Sequence, residues 1–471
     1  MKRTILTVLT ILTLTLSACA GKSATTASQT SVPTATPVAQ QATPGSSGPP
    51  VGSPPAAPPG GAGAPPASSA AVTTTSAAYM QSGGTETKAN QTYTATETDQ
   101  SGVWVANGGN LTLTNSTITT SGNTSSDDSS SFYGLNAAVL AASGSTIHLS
   151  DSTVTTSGTG ANGVFATGSG SVATVSNVTI KATADGGHGV MATNGGSLTL
   201  TNVNMDTAGA HGAAIATDRG GGTISATGGT ITTSGQDSPG LYSTGVIVVT
   251  GATIHAIGSE AAVIEGANSI DVTNTTLSGA KKWGVMIYQS MSGDAEGTRG
   301  VFTMTGGSLS AAVGPLFHVT NSTGVITLKG VQRTVTSGTL LDASAGTWGN
   351  SGSNGGTAIL TADAQTLTGN LVADSLSSIA VTLQNGSLLQ GAINSDNTAQ
   401  GASLTLDASS TWNVTADSHL TCLDDAGGIS GTAISNIIGN GHTVTYDKSA
   451  CSTLGGKTYT LSGGGVLKPA D

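Results

Sequence analysis

Five residues between positions 281 and 299 combine positive charge with aromatic rings. They are Lys281, Lys282, Trp283, Tyr288 and Arg299. An aromatic ring can stack on the face of a sugar, and a lysine or arginine pairs with an anion. The group therefore predicts a binding site for a carbohydrate or an anionic ligand. The alternative is that Trp283 packs into the core and that both lysines face solvent.

A second candidate is His188, with Asp185 and Lys181 as the charged residues nearest to it. If the chain is an enzyme, these three are its candidate catalytic residues. Inverting hydrolysis of a glycosidic bond needs two carboxyl groups roughly 6.5–9.5 Å apart. The nearest Asp pair, Asp127-Asp128, lies far upstream in a serine-rich loop. The alternative assigns His188 to a turn, beside His211 in the next repeat.

Other reaction chemistries find little support in the sequence. A lyase needs clustered acids for calcium and a nearby basic residue, whereas the arginines at 219, 299 and 333 and the lysines at 281 and 282 are scattered. No phosphate loop, Ser-His-Asp order or zinc signature is present. We expect neither a metal nor a cofactor.

Composition limits both the fold and the partners. Charged residues make up 8% of the 471 positions, against roughly 25% in an ordinary soluble domain. The net charge is -11, so the cationic surface that binds nucleic acid is missing and nucleic acid is not an expected partner. A chain of this kind builds a core by repeating small, similar units.

The amino terminus has the pattern of an export signal over residues 1–18. Two basic residues precede an apolar run over positions 5–16, and the run ends in Leu16-Ser17-Ala18-Cys19. These four residues resemble the lipobox of bacterial lipoproteins. The resemblance implies diacylglycerol on Cys19, cleavage before it, a membrane anchor and, with Ala20 following, sorting to the outer membrane or cell surface of the cell envelope. The alternative is an ordinary secretory signal with a chance cysteine.

The other two cysteines are Cys422 and Cys451. In an exported chain disulfides persist, and we expect these two to pair. The alternative is two unpaired or metal-binding thiols, but no further Cys or His lies at close ligand spacing.

A lipid-anchored linker is predicted for residues 19–88. Eleven of the 14 prolines fall between Pro33 and Pro66, and Ala, Thr, Ser, Gly and Gln make up most of the rest. Such a segment cannot bury enough apolar surface to offset its conformational entropy, so we expect it to be disordered.

Internal repeats dominate residues 89–356. One column of turn residues recurs every 23 to 36 positions: Asn115, Asp151, Asn177, Asn202, Gly228, Gly251, Asn274 and Gly306. A second column opens another strand at Gly163, Gly189, Gly212, Gly240, Ala262 and Gly284. Short alternating runs with Gly and Asn turns predict several strands per repeat, and hence an all-β, right-handed parallel β-helix. In the first column we expect left-handed φ and hydrogen bonds along the stack.

Residues 357–471 continue the solenoid in a changed register and end in a cap. The stretch Thr411-Trp412-Asn413-Val414-Thr415 followed by Ser418-His419-Leu420 resembles the closing coils of autotransporter passenger domains, although no translocating β-barrel follows it. The β-helix repeat as a whole resembles the pectin-lyase-like superfamily. Within it, Gly187-His188-Gly189 is similar to a motif of polygalacturonases, which implies cleavage of acidic polysaccharides.

Together these patterns predict a lipid-anchored, non-catalytic β-helix of the cell envelope that displays a polar surface for adhesion or carbohydrate binding. Its expected partners are the membrane, a polysaccharide, or the surface of a host or neighbouring cell. The alternative function is a polysaccharide lyase or glycoside hydrolase. Threonine arrays also line ice-binding faces of β-solenoids, but the Thr-X-Thr pattern here is irregular, so ice binding is not expected.

Overall fold

The computed structural model describes residues 73–425 and 427–470. These residues form an all-β, right-handed parallel β-helix, which confirms the predicted fold class. Each turn contributes one strand to each of three sheets, A, B and C, and strands of successive turns pair in parallel. Towards the carboxyl end, sheet D takes the place of sheet C. The predicted signal peptide, Cys19 and most of the predicted linker lie outside the described residues.

The strands divide among the sheets in a regular order. Sheet A contains Ala77–Ser82, Ser101–Ala106, Val139–Ala142, Val164–Thr167, Val190–Thr193, Ile215–Thr217, Leu241–Ser243, Ala262–Glu265, Val285–Tyr288, Phe317–Thr320, Thr339–Ala343 and Asn370–Ala373. Sheet B contains Thr85–Ala89, Asn110–Thr114, Thr146–Ser150, Val172–Ser176, Gly196–Thr201, Gly222–Thr227, Val246–Thr250, Ser269–Thr273, Arg299–Thr305, Thr323–Lys329, Thr357–Asp363, Ser378–Gln384, Gly401–Leu406 and Cys422–Asp424.

Sheet C contains Thr92–Ala95, Thr117–Thr120, Thr153–Thr156, Thr179–Ala182, Asn204–Thr207, Thr230–Thr233, Thr253–Ala256, Thr276–Gly279, Ser308–Ala311 and Gln332–Val335. Sheet D contains Thr366–Thr368, Leu388–Gln390, Thr411–Asn413, Ser418–Leu420, Ile429–Ser430, Ala433–Ile438, Thr443–Tyr446, Tyr459–Ser462 and Val466–Pro469. Two short helices, Asp127–Tyr133 and Ser452–Leu454, complete the described elements.

Alternation along each strand builds the core. In Gly196–Thr201, Leu198 and Leu200 are buried, whereas Thr199 and Thr201 are exposed. Equivalent inward residues of successive turns stack into one continuous aliphatic cluster. Each fully buried Val, Ile or Leu side chain contributes about 1.5–3 kcal/mol, so many similar turns stabilise a chain that is poor in aromatic residues.

The predicted column of left-handed turn residues is confirmed. The φ angles are 48° for Asn115, 51° for Asp151, 55° for Asn177, 53° for Asn202, 68° for Gly228, 66° for Gly251, 48° for Asn274 and 64° for Gly306. The amide of Asn177 donates to Oδ1 of Asp151 in the preceding turn at 3.2 Å. Asn and Gly alternate in this column because both tolerate positive φ.

The second predicted column is correct at four positions and wrong at two. Val190 pairs with Ile215, so Ala214 rather than Gly212 takes the place of Gly189. Leu241 pairs with Ala262, which places Ala261 in the column. The column thus holds Gly at four of the six positions and Ala at the other two. A column traced by glycine alone therefore loses its register where alanine occurs.

The solenoid begins at Ala77, inside the segment predicted as linker, rather than at position 89. Four inward positions of this first turn carry Tyr79, Glu86, Lys88 and Tyr93, level with buried aliphatic residues of the next turn. Lys88 pairs with Glu86 at 2.9 Å and lies 4.9 Å from the centroid of the Tyr79 ring. Because the turn carries polar groups where others carry Leu or Ile, its sequence does not resemble the repeat.

The carboxyl end departs from the repeat through antiparallel pairing. Ile429–Ser430 pairs antiparallel with Ala433–Ile438, and Tyr459–Ser462 with Val466–Pro469. Trp412 is buried, and its Nε1 donates to the carbonyl oxygen of Gly391 at 2.9 Å. The expected disulfide is present between Cys422 and Cys451, whose Cα atoms are 4.9 Å apart.

Candidate functional site

His188 lies in the turn before the strand Val190–Thr193 and is buried. Its Nδ1 is 2.9 Å from Oδ1 of Asn162, which is level with it in the preceding turn. Loss of solvation lowers the pKa of His188 to about 4, with a smaller contribution in the same direction from His211 and an opposing one from the Gly186 backbone. His211 itself is level with Gly186 rather than with His188. His188 therefore occupies a buried turn, but His211 is not the residue that stacks on it.

The other two candidate catalytic residues face solvent. Lys181 points outwards from sheet C, where it is level with Asp206. The carboxylate of Asp185 is exposed and accepts a hydrogen bond from the backbone N–H of Ala210 at 2.8 Å. Because His188 is buried and the two charged residues are exposed, the three side chains do not form one solvent-accessible group.

The consecutive residues Lys281, Lys282 and Trp283 have three different environments. Lys281 is exposed, whereas the ammonium group of Lys282 pairs with the carboxylate of Asp237. Trp283 is half-buried on the outer side of sheet A and stacks on the His318 ring, with centroids 4.3 Å apart and planes 13° apart. Trp283 therefore packs outside the solenoid core, against a second, smaller cluster of apolar residues.

Tyr288 and Arg299 also differ from each other in solvent exposure. Tyr288 is buried at the end of the strand Val285–Tyr288, and its ring centroid is 4.7 Å from that of Trp348. Arg299 is exposed at the start of Arg299–Thr305. The five residues predicted to bind a ligand thus divide between solvent, an ion pair and a buried aromatic cluster.

A shallow groove of about 380 Å³ lies at the corner between sheets A and B. Its floor is largely backbone, supplied by Gly195, Gly220, Gly221, Gly222 and Gly245. Gly220 and Gly221 have φ angles of 76° and 65°, which suit glycine. The groove is therefore a product of the turn geometry, with Val301 of the neighbouring strand on its border.

The two insertions that break the repeat meet on the outer face of sheet A. The first contains the helix Asp127–Tyr133, and the Arg219 guanidinium lies 3.8 Å from the centroid of the Phe132 ring of that helix. The second spans residues 289–299, and Arg219 Nη2 donates to Oδ1 of its Asp294 at 2.8 Å. Arg219 therefore joins both insertions to one turn of the solenoid.

Glu265 is the centre of a hydrogen-bond network under the second insertion. Its side chain is 1% exposed. Oε2 accepts hydrogen bonds from the hydroxyl groups of Tyr242 at 2.5 Å and Tyr288 at 2.8 Å, and Oε1 accepts one from Ser290. Burial raises the pKa of both tyrosines well above the ordinary value, and the charge of Glu265 adds to the effect.

Asp218 adds a second buried carboxyl group to this face. Its Oδ1 accepts a hydrogen bond from the backbone N–H of Arg219 at 2.7 Å. Burial, followed by the negative charge of Asp294, raises the pKa of Asp218 well above the ordinary value. Glu265 raises it further, whereas the Arg219 side chain acts in the opposite direction. Asp218, Glu265 and Asp294, here called the carboxyl cluster, therefore lie close enough to influence one another.

Sequence reasoning missed this cluster because its members are isolated acids in different repeats. The signal that could have found them is their position in the turn. Asp218 and Glu265 occupy equivalent positions in the same outward-facing row of sheet A, which also holds Tyr288. Neighbouring turns carry Thr at the same outward position. An acidic residue there can be recognised as part of a covered face only when the pairing register of the strands is known.

Sheet C carries an extended polar surface in the described chain. Two outward columns run across its ten strands. One holds Thr92, Thr117, Thr153, Thr179, Asn204, Thr230, Thr253, Thr276, Ser308 and Gln332, and the other Thr94, Thr119, Thr155, Lys181, Asp206, Thr232, His255, Ser278, Ser310 and Thr334. Fifteen of these twenty positions are Thr or Ser. We call them the hydroxyl columns.

The hydroxyl columns have a fixed geometry. Neighbouring strands are about 4.8 Å apart and alternate residues on one strand about 6.7 Å apart. Between Thr92 and Thr179, the Thr side chains of the columns make no hydrogen bond to other described residues, so their hydroxyl groups are available to a ligand or water. Branching at Cβ restricts each Thr to few rotamers, which keeps the array ordered.

Residues 73–425 and 427–470 include no helix long and apolar enough to cross a bilayer. The same residues contain no group of three or more His, Cys, Asp or Glu side chains placed to hold a metal ion.

Comparisons with protein-family models, with curated proteins and with solved structures return no match for this chain.

Proposed function

We propose that this chain is a lipid-anchored protein of the bacterial cell envelope whose β-helix binds carbohydrate, on a polysaccharide or a cell surface, without catalysing a reaction. The observation that carries the proposal is the pair of hydroxyl columns on sheet C, which align side chains from ten successive strands. Ten strands at about 4.8 Å span about 43 Å, the scale of several sugar units.

The chemistry of this face suits a neutral, extended ligand. Each Thr or Ser hydroxyl donates one hydrogen bond and accepts others, as sugar hydroxyls do. The Thr methyl groups between them give the apolar contact that sugar ring faces need. Lys181 and Asp206 are level with each other and carry opposite charges, so the middle of the face stays close to neutral.

Two features support binding rather than catalysis. His188 is buried and its pKa is lowered to about 4 by loss of solvation, which leaves the ring neutral and without solvent access. Asp218 and Glu265, the two carboxyl groups of the cluster that belong to sheet A, are buried.

A glycan array with the full chain tests the binding proposal. We expect binding to neutral polysaccharides that weakens when Thr residues of the hydroxyl columns are replaced. An ice-partition assay is the second arm, because an ordered water lattice presents similar spacings. If the chain partitions into ice and binds no glycan, the ligand of the hydroxyl columns is ice rather than carbohydrate.

An activity assay tests the non-catalytic part. Acidic polysaccharides incubated with the chain should release neither reducing nor unsaturated sugar. Release that disappears in His188→Ala would establish the polysaccharide lyase or hydrolase and overturn the proposal. This outcome would also support descent from the pectin-lyase-like superfamily, a relationship we propose on the repeat and on the Gly187-His188-Gly189 motif.

The anchor is proposed on the sequence Leu16-Ser17-Ala18-Cys19 and is tested separately. Cells that express the chain should incorporate labelled palmitate into it. The label should disappear in Cys19→Ala, and label that persists in this variant would contradict lipidation at Cys19.

A further inference from the structure

Hydrogen bonds and an ion pair that involve the carboxyl cluster help to hold the insertion 289–299 on sheet A. Its Ser290 donates to Glu265, its Ser292 Oγ is 2.8 Å from Asp294 Oδ2, and its Asp294 accepts from Arg219. Backbone groups add support, since Gln289 Nε2 donates to the carbonyl oxygens of residues 295 and 297 within the insertion itself. Two further contacts hold the insertion independently of the carboxyl cluster: Asn321 Nδ2 donates to the carbonyl oxygen of Gln289 at 2.6 Å, and the backbone N–H of Ala267 donates to that of Glu296 at 2.8 Å.

The network holds more oxygen contacts than its hydroxyl groups can fill. Tyr242, Tyr288 and Ser290 each contact Glu265, Ser290 Oγ also lies 2.8 Å from Ser292 Oγ, and Ser292 contacts Asp294. These are five contacts between oxygen atoms, whereas four hydroxyl groups supply four protons, because each hydroxyl carries one. One of the five contacts therefore lacks a proton unless the network holds one more than its hydroxyl groups supply.

Charge favours the same conclusion. Three carboxyl groups, those of Asp218, Glu265 and Asp294, interact on this face, and Arg219 is the cation that faces them. Of the other elements packed here, the sheet A strands supply Tyr242 and Tyr288 and the first insertion supplies the Phe132 ring. Like charges in a buried setting disfavour ionisation, so a carboxyl group here retains a proton more readily than it does in water.

We propose that residues 289–299 are a proton-dependent latch, closed over Tyr242 and Tyr288 while the carboxyl cluster holds its extra proton and opening as pH rises. In the closed state the cluster binds more protons than in the open state, where its carboxyl groups are solvated. Closure is therefore complete at low pH and is lost as pH rises. Opening uncovers two tyrosine rings and the Trp348 ring that packs on Tyr288.

Hydrogen exchange of the full chain, followed by mass spectrometry between pH 4.5 and 8.5, tests the latch. Protection of peptides covering 289–299, corrected for the intrinsic exchange rate, should fall by about tenfold per pH unit while one proton is released on opening. Peptides from the solenoid core should keep their protection, which separates latch opening from unfolding.

Two variants assign the proton to the cluster. Glu265→Gln supplies the missing donor from its amide, so 289–299 should stay protected at every pH. Asp218→Asn removes a carboxyl group that gains a negative charge as pH rises, so the pH at which protection is lost should rise. Asp185→Asn is the control, because that carboxylate is exposed, and it should behave as the unmodified chain does.

Arg219→Ala provides the reference for an open latch and should lower protection of 289–299 across the whole range. Protection of the unmodified chain that does not change with pH would overturn the proposal. Profiles of Glu265→Gln and Asp218→Asn that coincide with the unmodified chain would also overturn it, since the proton would then belong to another group.

Discussion

The guanidinium group of Arg219 donates to the carboxylate of Asp294 at 2.8 Å, although 75 positions separate the two residues. One residue at the end of a sheet A strand thereby holds an insertion that enters the chain three turns later. The same guanidinium covers the Phe132 ring of the first insertion. The insertions that contain Phe132 and Asp294 are thus joined to a single turn.

Replacing Arg219 with Ala should lower the free energy of unfolding by about 1–2 kcal/mol. The variant loses the cation–π contact and the ion pair, and the ion pair counts for less because the Arg219 side chain is 37% exposed. Urea denaturation measures the change. Arg299→Ala is the matched control and should stay within about 0.5 kcal/mol, because Arg299 is exposed. Equal losses in the two variants would contradict the role given to Arg219.

His188 should make the stability depend on pH below neutrality. Its pKa is about 4 in the folded chain and near 6.5 without burial, so its contribution is present above pH 6.5 and is lost as pH falls towards 4. The full loss is about 3 kcal/mol. His188→Gln should flatten this part of the stability profile, whereas His148→Gln, on the outer face of sheet B, should leave it unchanged. Parallel profiles for His188→Gln and the unmodified chain would rule out the effect.

The turn column should prefer glycine to alanine. Asn202 has a φ of 53°, and the equivalent residue of the next turn is Gly228. Asn202→Gly should be nearly neutral, whereas Asn202→Ala should cost about 1 kcal/mol because Cβ without a polar side chain is strained at positive φ. Thermal denaturation of the two variants checks the difference. An Ala variant as stable as the Gly variant would count against strain at this turn.

The first turn should act as a barrier to end-to-end association. Glu86 and Lys88 stand at inward positions that carry Leu in the next turn. The double variant Glu86→Leu, Lys88→Leu extends the apolar core to the edge and should self-associate, because an apolar strand edge pairs with other chains. Sedimentation velocity measures this. Thr87→Val changes the outward residue between them and should sediment as the unmodified chain does; association of both variants alike would contradict the barrier.

The repeat predicts the fold and the left-handed turn column because both depend on local patterns, and two remaining cysteines in a chain with an export signal predict the disulfide. Small turn residues, alternating apolar residues and neutral Thr surfaces also account for the low charge of the chain. The predicted start of the solenoid was wrong because a turn is recognised in the sequence by its alternating apolar residues. The first turn carries polar residues such as Glu86 and Lys88 at these positions.

The site was harder to predict than the fold. Lys282, Trp283 and Tyr288 are close in sequence, yet their side chains contact three different residues, Asp237, His318 and Glu265 respectively. The insertion 289–299 interrupts the repeat between the strands Val285–Tyr288 and Arg299–Thr305. Its contact with Arg219 could not be predicted from the sequence, because the contact depends on how many turns separate Arg219 from Asp294.

The most direct test of the proposed function compares two double variants on the glycan that the full chain binds. Thr119→Val with Thr155→Val removes two adjacent hydroxyl groups from sheet C, and Thr174→Val with Thr199→Val removes two adjacent ones from the outer face of sheet B. Each lost hydrogen bond costs about 0.5–1.5 kcal/mol, so the sheet C pair should weaken binding by roughly tenfold. The sheet B pair should leave the affinity unchanged. Equal affinities for all three proteins, or no glycan bound by the full chain, would contradict carbohydrate binding through the hydroxyl columns.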